Sequence, residues 1–122
     1  MDDDLVEDGK VIRLETVGRR SGSLVVVTVG FVERGDRTLV IAAGDREAAW
    51  ALNLLADPRC HVTLRGDTFA AEARELEGAE RHEAIRDLIL RYGTPSERLG
   101  SGPAFVLQPV ETPPSEASRR SR

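Results

Sequence analysis

Two adjacent arginines, Arg19 and Arg20, stand between Gly18 and Gly22, with Ser21 and Ser23 on either side of the second glycine. These residue types suit the capture of an anion. Arginine offers a planar fork of N–H donors matched to phosphate or carboxylate, and glycine lets backbone N–H groups converge. The same six residues also read as a solvated turn that happens to carry two cations. Other chemistry is sparse. His61 and His82 have no Cys or His partner at metal-ligand spacing, so a structural metal site is not expected. Ser21 and Ser23 lack a local His or Asp to activate them. The chain carries neither the glycine fingerprint of a dinucleotide fold nor a P-loop. Glu75 and Glu77 read as solvated. If the chain is an enzyme, its hard chemistry belongs to a bound cofactor, and the protein supplies binding, orientation and electrostatics.

The elements that must position such a site follow from periodicity. Residues 11–17 alternate, with Ile12, Leu14 and Thr16 on one face, and predict a strand leading into the cationic turn. Residues 24–32 are valine-rich and continuous, as in a well-buried strand. Arg34 to Arg37 is a turn signal, and residues 38–43 predict the returning strand. Asp45 is placed to cap a helix over 46–56, with Ala48, Ala51, Leu52 and Leu55 inward, and Pro58 stops it. Trp50 and Asn53 lie off that face, three apart and therefore neighbours. The helix N-terminus, with Gly44 before it and Arg46 in it, offers N–H groups and a favourable dipole to an electron-rich ring edge. Strands over 60–65 and 68–76 flank a tight Gly66-Asp67 hairpin. Gly78 opens a second helix to about Arg91, with Ile85, Leu88, Ile89 and Tyr92 as its stripe. A loop over 93–102 and a last strand over 104–110 complete the pattern. The expected fold is mainly β (α+β): a six-stranded antiparallel barrel, closed or half closed, with two helices.

At 122 residues the chain suits one domain, expected over residues 10–110, between a flexible acidic segment (1–9) and a disordered tail (111–122). A net charge of −4 argues against a nucleic-acid or anionic-membrane binder. No apolar run is long enough to span a bilayer, the acidic N-terminus lacks the basic region of a signal peptide, and the lone Cys60 suits a reducing cytoplasm. Cys60 falls in an apolar strand pattern and is expected to be buried and inert.

Two segments together resemble a known family. Leu14 to Val29 (LETVGRRSGSLVVVTV) is similar to the T-G-R-K-S-G-K-x-R segment of the deazaflavin-dependent nitroreductases, and Ala48 to Pro58 (AAWALNLLADP) to that family's P-x-W-x-x-N-L-x-x-N-P. The likeness extends over about residues 10–110. It implies a split β-barrel related to the FMN-binding flavin reductases and the pyridoxamine-phosphate oxidases. It also implies binding of coenzyme F420 and hydride transfer from the reduced cofactor to a quinone, nitro compound or activated alkene. Carried over residue by residue, it assigns Gly18, Arg19, Arg20, Ser21 and Gly22 to the cofactor's phosphate and tail, Trp50 and Asn53 to the helix motif, and Ala43-Gly44 to the ring. The chain departs from the pattern at Ser23 and Val25, where the family has lysine and arginine, and at Ala43 and Ala48. Those departures keep two alternatives in view: FMN or another flavin-like cofactor, and a non-catalytic carrier. Related split barrels often build their sites at a dimer seam, so a homodimer is compatible with the sequence, as is a monomer.

Overall fold

The computed structural model describes residues 9–44, 47–93 and 102–110. The acidic segment expected over 1–9 lies almost wholly outside them. So do the tail over 111–122, most of the 93–102 loop, and Asp45 and Arg46. Seven strands form one antiparallel sheet: β1 (Ile12–Val17), β2 (Leu24–Val29), β3 (Val32–Glu33), β4 (Leu39–Ala42), β5 (Arg59–Leu64), β6 (Asp67–Leu76) and β7 (Ala104–Pro109). Two helices accompany it, α1 (Ala49–Ala56) and α2 (Gly78–Tyr92). The strand order is β2-β1-β5-β6-β7-β4-β3.

That order dictates the shape. In a flat sheet, six spacings of about 4.8 Å would set β2 and β3 roughly 29 Å apart. Yet Val29 and Val32 are three residues apart, a reach of at most about 11 Å. The sheet must therefore curl until its two edges meet at Gly30-Phe31, which makes a barrel open along one seam. Tyr92, at the end of α2, fastens this corner. Its hydroxyl donates to the Lys10 carbonyl at 2.6 Å and accepts from the Phe31 N–H at 3.0 Å. Arg34 adds an ion pair to Asp87 of α2 at 2.8 Å.

The core follows the alternation. Ile12 and Leu14 of β1, Val62 and Leu64 of β5, and Phe105 and Leu107 of β7 face inward with Phe31, Leu39 and Ile41. Ala51 and Leu54 of α1 cover one end of that core. A second cluster lies on the outer surface, where Ala84 of α2 packs against Val40, Leu76, Ala104 and Val106. Strand β4 is thus buried on both faces, which explains its unbroken apolar run.

Several expectations change. The sheet has seven strands rather than six, because the 24–32 run breaks at Gly30-Phe31 where the edges join. Strand β2 is an edge strand, not a buried one: Leu24 and Val26 are 61% and 51% exposed. Helix α1 starts at Ala49 rather than 46, with Ala48 at its N-cap and no side-chain cap. Its buried residues are Ala51, Asn53 and Leu54, and Leu55 points outward. The β5–β6 turn is Arg65-Gly66, one residue earlier than expected, since Leu64 pairs with Asp67. The inward face of β1 and the span of α2 agree with the sequence pattern.

Candidate functional site

The Gly18–Ser23 turn closes on itself before it meets anything else. The Gly18 N–H donates to the Ser23 carbonyl at 2.7 Å, the Gly22 N–H to the Gly18 carbonyl at 2.8 Å, and the Ser23 N–H to Ser21 Oγ at 3.1 Å. Both glycines are required. A Cβ at Gly18 would sit 2.9 Å from the Ser23 carbonyl oxygen, and Gly22 has φ +79°, which side chains disfavour.

Asn53 ties this turn to the rest of the fold. Its Oδ1 accepts from the Arg19 backbone N–H at 3.2 Å and from Arg19 Nη1 at 3.0 Å. Its Nδ2 donates to Thr16 Oγ1 at 3.1 Å. Both residues are buried, and Thr16 Oγ1 in turn donates to the Val25 carbonyl at 3.5 Å; an unpaired amide or hydroxyl there would cost about 1–3 kcal/mol. The network joins β1, the turn and α1. It answers why a polar residue sits on the buried side of a helix and why a hydroxyl shares the inward face of Ile12 and Leu14.

Asn53 takes the Arg19 N–H and one donor of its guanidinium, which leaves the rest of that exposed fork and the whole tip of the turn. The N–H groups of Arg20 and Ser21 and the Arg20 guanidinium have no acceptor or carboxylate partner among the described residues, and both residues are exposed. Two N–H groups and one unpaired guanidinium on a braced turn fit an anionic group. The two arginines expected to form the anion cradle thus differ in how they are held. All three of Arg19, Arg20 and Ser21 are exposed, and Arg19 alone is anchored, by Asn53.

Trp50, one helical turn before Asn53, is half buried against the core, its ring 6.1 Å from that of Phe105 and tilted by 55°. Ala43 is buried at the end of β4, and its N–H is taken by the Pro103 carbonyl at 2.9 Å. Gly44 beside it is exposed. Arg46 lies outside the described residues. The structure thus unites Gly18 to Gly22 with Asn53, and sets Trp50 on the same helix. Thr16 escaped the sequence reading. Its signal was a hydroxyl at an inward strand position, which demands a partner. Of the four departures from the family pattern, the two that replace cations sit beside the turn: Ser23 closes it, and Val25 pairs with Thr16 across the strands.

Below the helix, Asp57 accepts from the Arg59 backbone N–H at 3.1 Å, from Nε at 3.0 Å and from Nη2 at 2.7 Å. The Arg59 side-chain bonds, then its N–H, hold the Asp57 carboxyl down at about 2. This clasp fixes the turn around Pro58 that carries α1 into β5. Burial, helped by the charge of Glu72, pushes the Cys60 thiol up to about 12. Its Sγ lies 3.5 Å from the Ala71 carbonyl. His61 and His82 are exposed on separate elements, and no metal-sized cluster of His, Cys, Asp and Glu exists among the described residues.

Comparison with known proteins places this geometry. The solved structure of an F420-H2 dependent reductase (FDR-A) is 25% identical, superposes with a TM-score of 0.71, and aligns over 81% of this chain and 94% of its own. A chain described as a domain-swapped dimer is 23% identical with a TM-score of 0.70, over 87% of this chain and 92% of its own. HutZ, the heme storage protein of Vibrio cholerae, shares the fold at 21% identity and a TM-score of 0.65, over 89% of this chain and 87% of its own. The seven-stranded curled sheet is thus a split barrel. Residues 4–97 match the family model described as F420H(2)-dependent quinone reductase, and the chain belongs to that family, whose cofactor is coenzyme F420.

Proposed function

We propose that this F420-dependent reductase delivers a hydride from F420H2 to a small organic acceptor, a quinone before a nitro compound or an activated alkene. The observation that carries the site assignment is the braced turn, with Arg20 and Ser21 left to donate while Asn53 holds Arg19 in place. The anionic phosphate and tail of the cofactor are the groups such donors recognise. When bound, the cofactor supplies the hydride. The chain's own part is to hold and orient it. Gly18 and Gly22 shape the turn, Arg20 and the Arg20 and Ser21 N–H groups bind the anion, and Asn53 and Thr16 fix the turn against α1. Trp50, partly exposed beside the core, offers an apolar flank, and Gly44 marks the strand end nearest the ring.

Titration of the protein with F420, FMN and FAD, followed by cofactor fluorescence, tests this reading. F420 binds and Arg20→Ala weakens it about tenfold or more, the worth of one charge-assisted contact. Preferential FMN binding would transfer the site to that flavin, and no binding would leave a carrier or interaction module. Oxidation of F420H2 by menadione then measures turnover. No helix among the described residues is long and apolar enough to cross a membrane. We place the protein in a reducing cytoplasm because its one thiol is buried and unpaired.

The functional unit we propose is a homodimer seamed on β2. That edge strand, LVVVTV, carries no charge, proline or bulge to guard it, and its outward Leu24 and Val26 are exposed. Size-exclusion chromatography with light scattering checks this, with Val26→Lys yielding a folded monomer.

A further inference from the structure

The end of the barrel opposite the Gly18–Ser23 turn holds a cavity of about 230 Å³. Leu39, Leu64 and Phe69 floor it, and Arg37, Arg65, Glu33 and Asp67 rim it. Two non-glycine residues among those described have left-handed backbone, Arg37 at φ +65° and Arg65 at φ +50°, and both line this cavity. Each sits at a turn position that glycine, asparagine or aspartate fills at lower cost. Arg37 ends the 3-10 turn before β4, and Arg65 is the first residue of the two-residue β5–β6 turn. Two turns that would be more stable with other residues both place arginine at one spot, and strain of this kind marks functional positions.

The two arginines differ in commitment. Arg65 Nη2 donates to Glu33 Oε1 at 3.0 Å and neutralises it. The Arg37 guanidinium lies over the Phe69 ring, 5.1 Å from its centre, and has no hydrogen-bond acceptor among the described residues. Its fork of donors is thereby pre-oriented on an aromatic face with nothing yet to receive it. We propose that this cavity binds a small aromatic carboxylate: the carboxylate bridges the Arg37 fork and the ring packs on Leu39, Leu64 and Phe69. The rim acids select the charge. Glu33, already paired, and Asp67 would repel a dianionic phosphate more strongly than a planar monoanion, and the volume suits one ring. This site lies at the other end of the barrel from the proposed F420 site and is independent of it.

Benzoate is the probe, added at millimolar concentration to the 15N-labelled full-length protein. Benzoate is expected to shift the amide resonances of Thr38, Leu64 and Phe69, with neutral benzamide and inorganic phosphate each at least tenfold weaker, as the loss of one charged fork predicts. Arg37→Gly, which suits the local backbone and so keeps the fold, abolishes the benzoate shifts. Arg65→Gly, which leaves Glu33 unpaired, weakens them several-fold, and Arg20→Ala leaves them unchanged. Equal binding of benzamide, preference for phosphate, full binding by Arg37→Gly, shifts centred on the Gly18–Ser23 turn, or no shift at all would each overturn the proposal.

Discussion

Where β1 turns into β2, Arg19 is held by a buried amide and the left-handed backbone position is given to glycine, at Gly22. At the opposite end, where β3 turns into β4 and β5 into β6, arginine itself occupies the left-handed positions and one guanidinium rests on a phenyl ring. The first end has low strain and a polar brace. The second accepts backbone strain to place its charges. Charge alone does not describe a site; what anchors each guanidinium, a buried amide at one end and a phenyl ring at the other, sets where its remaining donors point.

This contrast can be broken at several points. The largest effect is expected from Asn53→Ala, which removes the amide between Thr16 and Arg19. It leaves the Thr16 hydroxyl with only the Val25 carbonyl and the Arg19 N–H without its acceptor, and should cost about 3 kcal/mol in urea or thermal unfolding, with F420 affinity falling alongside. Arg20→Ala sits one residue from the brace and touches none of it. It should lose about 1.4 kcal/mol or more of cofactor binding while stability stays within about 0.5 kcal/mol, and a loss of stability as large as that of Asn53→Ala would erase the distinction between the two arginines. At the strained end the sign reverses. Arg65→Gly trades an exposed ion pair for a residue at ease at φ +50°, and should raise stability by about 0.5 kcal/mol.

Smaller effects come from titration. Asp57 moves from an ordinary 3.8 down to about 2 on folding, so its contribution is fully present above pH 4 and is lost as pH falls through about 2. Asp57→Asn should therefore flatten that acid limb of the stability curve. Cys60 moves the other way, from 9.0 up to about 12. The neutral thiol is favoured by the fold, so that contribution holds below pH 9 and is lost as pH rises towards 12. Alkylation of Cys60 at pH 8 should proceed only as fast as the chain opens.

The strand pattern and the α2 stripe were legible in the sequence, because alternation and helical spacing report burial directly. What failed did so for tertiary reasons. Two unbroken apolar runs, in β2 and β4, look alike in sequence. One is buried twice over because α2 covers its outer face, and the other is exposed because nothing among the described residues does. The break at Gly30-Phe31 comes from barrel closure, which no local pattern encodes. In the site, the Gly18–Ser23 turn and the Trp50/Asn53 pair stood out by residue type. The bond between Arg19 and Asn53, 34 residues apart, did not, nor did the role of Thr16.

The Tyr92 hydroxyl has a consequence in time as well as in space. Its partners lie 61 and 82 residues away along the chain, among the most distant pairs that touch. Such contacts can form only after the intervening loops have closed, which makes the phenol a late latch on the folding route. Tyr92→Phe should accordingly unfold faster while refolding at an unchanged rate, and the Phe31 amide proton, now without its acceptor, should exchange with deuterium well before the rest of the sheet.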